Sequence, residues 1–204
     1  MTKNRVESFS DGVFAIVITL LVLDIRLPEG ELSWALLATA VPHLLAFLLS
    51  FVIVGTYWVA HHTMWTFIAR VDRPLLWTNL FVLLTVVFIP FPAALLGAHP
   101  LNPVAIIIYG ASLALTNAAG AVLWLVAGAR GAMRPGVPDS FRRSTSLFHA
   151  APIPIYLIGI AIAYFVPWLS LALYVVPPLF FVLPNALTDR RLALALDHLE
   201  KAEG

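Results

Sequence analysis

Apolar residues along this chain fall in long runs separated by short polar joints. A spanning helix needs roughly 20 mostly apolar residues, and six stretches qualify: about Arg5 to Ile25, Trp34 to Ala60 or a little beyond, Pro74 to Leu96, Pro103 to Ala127, Leu147 to Phe165 and Trp168 to Leu187. The last two are separated only by a tight reversal at "VPW". Prolines 90, 92, 152, 154, 177, 178 and 184 punctuate the later stretches, where neighbouring helices can re-satisfy the freed carbonyls, and they predict kinks. From Thr188 onward Leu192, Leu196 and Leu199 share one face of a short amphipathic helix. The pattern thus predicts an all-α membrane protein, with a six-span domain over 1–187 and a cytoplasmic tail over 188–204. The halves of the chain show no repeat.

Composition strengthens this picture. Of 204 residues, 61% are hydrophobic and 11% charged, against about 25% charged in a soluble domain, and mean hydropathy is +0.93. Such a chain cannot cover its surface with polar groups. A net charge of +1 argues against a nucleic-acid footprint. The absence of cysteine removes disulfides, thiol catalysis and Cys-based metal sites. Glu7 and Asp11 interrupt the N-terminal run, and no small-residue cleavage site follows it, so it is not read as a signal peptide. Tryptophans 34, 58, 65, 77, 124 and 168 mostly fall near predicted helix ends, as in an interfacial aromatic belt.

Basic residues set the topology. With six spans, Lys3, Arg5, Arg70, Arg73, Arg130, Arg134, Arg142, Arg143, Arg190, Arg191 and Lys201 fall on one side and Arg26 alone on the other. Lys and Arg concentrate in cytoplasmic loops, so both termini are expected to be cytoplasmic.

The first helix differs from the rest. Arg5, Glu7, Ser8, Ser10 and Asp11 occupy its first two turns, with Asp11 about 9 Å deeper than Arg5 at 1.5 Å per residue. Ionisable groups in a span are costly and usually face protein or water. At about 100° per residue, Ile16, Leu20 and Leu23 lie on one stripe, with Arg5, Phe9 and Leu27 near its line and Gly12 and Thr19 at its edge. Asp11 falls roughly 140° from Ile16. One of these faces an axis and the other the bundle, and periodicity leaves open which. Candidate partners for the polar groups lie at the same membrane side: Trp58, His61 and His62 in "YWVAHHTMW" and Asn79 in "WTNLF". An imidazole, indole or amide there can donate to a carboxylate. Adjacent histidines diverge by about 100° on a helix and make a poor chelating pair, so no metal site is expected. His43, His99, His149 and His198 are isolated. No metal or nucleophile motif of known spacing supports an enzyme.

The stretch "RVESFSDGVFAIVITLLVLDI" resembles the first helix of the transmembrane protein 175 family of potassium channels, whose signature Arg-x-x-x-Phe-Ser-Asp is here Arg5, Phe9, Ser10 and Asp11. The "WVAHH" and "NLFVLLTVVFIPF" stretches also look like the family. The later helices resemble it only in hydropathy. The resemblance implies a homotetramer of six-helix subunits in the cell membrane, with the first helix of each subunit lining a central pore. It implies a hydrophobic gate at Ile16, further constrictions at Leu20 and Leu23, and a polar selectivity position at Thr19. It also implies a structural network of Arg5, Ser10 and Asp11 with Trp58, His61 or His62, and Asn79. The expected function is potassium-preferring passive conduction without a cofactor, K+ being the permeant ion. Asp24, with Glu29 and Glu31, is expected to concentrate cations at the outer mouth. The competing expectation is a proton-coupled or cation transporter titrating Asp11, which predicts internal repeats and discontinuous helices. No voltage-sensor arginine ladder, ligand domain or calcium loop is recognisable.

Overall fold

The computed structural model describes residues 2–25 and 27–182, together with Ala193, Leu196 and Asp197. Arg26, Pro184 and most of the expected amphipathic tail lie outside the described residues. The described chain is helical: α1 (Lys3–Leu20) tightens into a 3₁₀ turn at Leu21–Asp24, followed by α2 (Trp34–Ala38), α3 (Val41–Thr66), α4 (Arg73–Phe88), α5 (Pro90–Ala98), α6 (Pro103–Ala129), α7 (Asp139–Ala150), α8 (Pro152–Ile162) and α9 (Pro167–Val182). Among the described residues, five segments are long and apolar enough to cross a membrane: Lys3–Asp24, Val41–Thr66, Arg73–Ala98, Pro103–Ala129 and Asp139–Ile162. The sixth expected span appears as α9, an apolar helix of 16 described residues.

Boundaries move where local chemistry overrides hydropathy. The second stretch is not one helix from Trp34. Ser33 accepts from the Leu36 amide and caps the short α2, and the chain restarts at Val41 with Pro42 in the first turn. Proline is suited to that position because the first-turn N–H groups have no helical partner. At its other end α3 runs past Ala60 to Thr66, where His61, Met64 and Trp65 are buried and hold the last turns. Pro90 divides the third stretch into α4 and α5. The fifth starts at Asp139 rather than Leu147, since the polar α7 adds a leading segment before Pro152 opens α8.

Helix α6 sits at the centre, packed against α4, α5, α7, α8 and α9, while α1 lies on the flank against α3 and α4. One apolar cluster gathers Phe14, Ile53, Val86, Ile106, Tyr109 and Tyr174; a second gathers Val6, Trp65, Phe67, Leu75 and Trp124. Gly110 and Gly159 leave room for the Tyr174 ring, into which a methyl group at either position would run. The ring then reaches across to donate to the Ile106 carbonyl at 3.3 Å.

The two loops at the basic end are tied to each other. Ala69 donates to the Ala132 carbonyl at 2.8 Å, and Arg134 N–H to the Phe67 carbonyl at 2.9 Å. Gly131 supplies the positive φ (57°) that the second loop needs. Asp72 accepts from the Leu75 amide at 3.0 Å, capping α4, and from Arg130 Nε at 2.7 Å. Arg70 donates to the Arg130 carbonyl at 3.1 Å. Arg70, Arg73, Arg130 and Arg134 thus cluster at one end of the bundle.

The Arg130 hydrogen bond, supported by the Leu75 amide, holds the Asp72 carboxyl below its ordinary value. A carboxyl with a depressed native pKa stabilises the fold above its unfolded pKa of about 3.9, and that contribution disappears as pH falls through the native value. Asp72→Asn keeps a capping oxygen but loses the ion pair. It should lower the thermal unfolding midpoint at pH 7, with the difference from wild type vanishing in acid below the ordinary carboxylate range. An equal difference at both pH values would contradict this assignment.

Candidate functional site

The sequence of α1 gives it two faces. Val6, Ser10, Phe14 and Val17, with Leu21 beyond them, are buried against α3 and α4, following the three- and four-residue spacing of a packed helix face. The other side is open: Arg5, Phe9, Asp11, Gly12, Ile16, Thr19, Leu20 and Leu23 are exposed, Ile16 by 60% and Leu23 by 63%. The Asp11–Gly12 pair, a turn signal in most contexts, lies inside continuous helix.

A polar chain crosses the buried face. Ser10 is 0% exposed and Asn79 1%. The Ser10 hydroxyl donates to the Val6 carbonyl at 2.8 Å and accepts from Asn79 Nδ2 at 3.1 Å. Asn79 Oδ1 lies 2.8 Å from His61 Nε2, and Trp65 Nε1 lies 2.9 Å from that same nitrogen. These contacts join α1, α3 and α4. His61 Nε2 therefore meets two groups of opposite need. An indole N–H only donates and an amide oxygen only accepts. A lone pair on Nε2 serves Trp65, and a proton there serves Asn79, so the imidazole tautomer selects between an intrahelical partner and α4. Phe14 closes over this ring at 5.4 Å between centroids.

Asp11 belongs to a separate contact at the open edge. Its Oδ1 accepts from Trp58 Nε1 at 2.9 Å, and His62 lies beside that indole, ring centroids 6.1 Å apart. The expected polar set is thus divided: Ser10, Asn79 and His61 are gathered inside, and Asp11, Trp58 and His62 at the edge. Arg5 is exposed and makes no hydrogen bond or ion pair among the described residues. The sequence places Trp65 only in the aromatic belt; the signal for its buried contact is the four-residue spacing from His61, which stacks side chains on one helix face. No group of three or more His, Asp or Glu able to hold a metal occurs among the described residues.

Further along the open face, Thr19 donates its hydroxyl to the Ile16 carbonyl at 2.8 Å. No donor among the described residues takes up its oxygen lone pairs. Asp24 closes the 3₁₀ turn, half-buried, and with His43 lines a small cavity between the α1 end, α3 and α5.

The family model described as "Endosomal/lysosomal potassium channel TMEM175" matches residues 5–90, a span that contains every polar side chain of both groups. A potassium channel of Chryseobacterium sp. (strain P1-3) is 33% identical over 198 residues, 94% of this chain and 98% of that one. The chain belongs to the TMEM175 family. This is a family of ion channels rather than an enzyme class. The crystal structure of a lysosomal potassium-selective channel TMEM175 homolog from Chamaesiphon minutus resembles the fold with a TM-score of 0.77 at 32% identity, covering 89% of this chain and 96% of that one. The endosomal/lysosomal proton channel TMEM175 of Bos taurus is 44% identical over 87 residues, 37% of this chain and 18% of its own length.

The buried chain carries a stability prediction. Leaving a buried polar partner unsatisfied costs about 1–3 kcal/mol, so Asn79→Ala should destabilise the purified protein by that order, read as a lower unfolding midpoint in detergent. A wild-type midpoint would show that the Ser10–Asn79–His61 contacts do not hold α1 in place.

Proposed function

We propose that this chain is a potassium-preferring cation channel of the cell membrane. Four copies would surround a pore lined by α1, with both termini cytoplasmic. The observation that carries the reading is the composition of the open faces. Beyond Arg73 and Pro74 in its first turn, the exposed residues of α4 (Trp77, Leu80, Phe81, Leu84, Val87 and Phe88) are apolar, as a lipid-facing surface is. The open face of α1 mixes Ile16, Leu20 and Leu23 with Arg5, Asp11 and Thr19. Ionisable groups within a span face protein or water rather than lipid, so this face suits a water-accessible axis formed with other copies. Membership of a family whose relatives are named potassium channels supports the same conclusion.

Ile16 forms the narrowest ring, with Leu20 about 6 Å further along at 1.5 Å per residue and Leu23 beyond. A hydrophobic constriction gates by dewetting and conducts only when it widens. Thr19 adds a ring of oxygen lone pairs between the aliphatic rings, available to a partly hydrated cation. Ser10 and Asn79 fix the rotation of α1 from inside, and the Asp11–Trp58 bond fixes it at the edge. Asp24 raises cation concentration at the outer mouth, assisted by Glu29 and Glu31 in the exposed loop.

The test is reconstitution of the purified protein with potassium, sodium and proton flux measured side by side. Rapid, ohmic, potassium-preferring current is expected. Slow saturating flux coupled to protons would replace the channel by a transporter titrating Asp11. Ile16→Asn should raise conductance and reduce the preference for potassium over sodium; unchanged current and selectivity would remove the Ile16 stripe from the pore. Asp24→Asn should lower single-channel conductance at low salt and have little effect at high salt, where a Debye length of about 3 Å at 1 M screens the charge. Equal conductance at low salt would exclude Asp24 from the mouth.

A further inference from the structure

Away from α1, a cavity of about 350 Å³ opens between the end of α6 and the start of α7. Trp124, Leu125, Gly128, Arg142, Arg143 and Ser146 line it, with Asp139 at its rim. We propose that this cleft holds the phosphate headgroup of an anionic membrane lipid. Several features of the wall support a phosphate.

Arg143 is exposed and has no hydrogen-bond or ion-pair partner among the described residues. Arg142 has one ion-pair partner among the described residues, Asp139 Oδ1 at 3.3 Å. That carboxylate is 82% exposed, and such surface pairs contribute little, so the guanidinium can readily accept a second anion. Its head lies over Gly128, where a Cβ would come within 2.8 Å of Nη2; the bare backbone makes the room. The α7 backbone beneath is fixed, because the Arg142 carbonyl accepts from Trp124 Nε1 at 2.9 Å and from the Ser146 hydroxyl at 3.2 Å. Two guanidinium groups on a held turn suit bidentate recognition of phosphate oxygens.

The surroundings of the cleft favour a lipid over a free solute. Leu125, on its wall, is 58% exposed, and Leu147, one turn beyond Arg143 on the same face of α7, is 69% exposed. These provide an apolar path for an acyl chain leading away from the arginines. The cleft lies on the basic end of the bundle, where anionic headgroups are drawn to Lys and Arg, and α7 has the polar, amphipathic character of a helix lying at the membrane interface.

Native mass spectrometry of the full-length protein in detergent, with phosphatidylglycerol or phosphatidylcholine added, tests the proposal independently of conduction. Wild type should retain phosphatidylglycerol in preference to phosphatidylcholine. Arg143→Gln should weaken that retention about fivefold, the change expected for one basic residue at a membrane surface. Gly128→Ala, which forces the Arg142 head aside, should weaken it while leaving the assembly mass unchanged. Retention at wild-type strength by both variants, or equal retention of the two lipids, would overturn the proposal. Binding of inorganic phosphate without retention of phosphatidylglycerol would overturn the lipid assignment in favour of a soluble phosphate.

Discussion

The hydrogen bond from Asn79 to Ser10 fixes what α1 offers to the rest of the molecule. A helix lying on the flank of a bundle in lipid has no strong hydrophobic reason to prefer one rotation, because lipid tails are as apolar as the neighbouring side chains. A buried amide and hydroxyl do provide one, since neither finds a partner in hydrocarbon. Once Ser10 is turned towards Asn79, helical geometry places Phe14 and Val17 inside and Ile16, Thr19 and Leu20 outside. The plain apolar residues of the open face thus derive their direction from two polar atoms on the opposite one.

The same economy of polar groups runs through the bundle. His61 can serve Trp65 or Asn79 through one nitrogen, and α3 is extended to Thr66 to carry both aromatic side chains. Deeper in, Ser50 pairs with Tyr109 at 2.9 Å, and Asn117 donates to the Tyr57 hydroxyl at 2.7 Å. These bonds link helices far apart in sequence, which apolar packing alone would specify weakly in a membrane. At the basic end the α3–α4 and α6–α7 loops use backbone bonds and the Asp72–Arg130 pair for the same purpose.

The spans were legible because each crosses the same thickness of hydrocarbon, and length with hydropathy records that constraint directly. Their interruptions were less so. Pro42 and Pro90 mark breaks, but similar prolines 177 and 178 lie within continuous α9, so proline alone does not separate a kink from a new helix. The polar half of the fifth span, α7, is hidden from hydropathy because an interfacial helix is not apolar. In the site, the residue types were readable and their grouping was not. Ser10 and Asp11 are neighbours in sequence, yet a 100° step sends one to the interior and the other to the edge. His61 and His62 part in the same way. Choosing between them needs the position of α4, which a single helix cannot encode.

Exposure has a particular meaning in such a chain. On a soluble protein, bare Ile16 and Leu23 would by themselves signal a missing partner; in lipid they would be unremarkable, as Leu84 on α4 is. Asp11 and Thr19, beyond the first turn, are what distinguish α1, because lipid is a poor environment for them. Among the described residues Asp11 is hydrogen-bonded only to the Trp58 indole, and that contact lies at the edge of the open face rather than in the packed interior. A bond in that position leaves the remaining carboxylate oxygen for a neighbouring surface or water. The single subunit therefore pairs the buried polar groups around Ser10 and leaves one helix face incomplete. A ring of identical copies would provide that face with both protein contact and an aqueous axis, which a lone subunit in lipid does not.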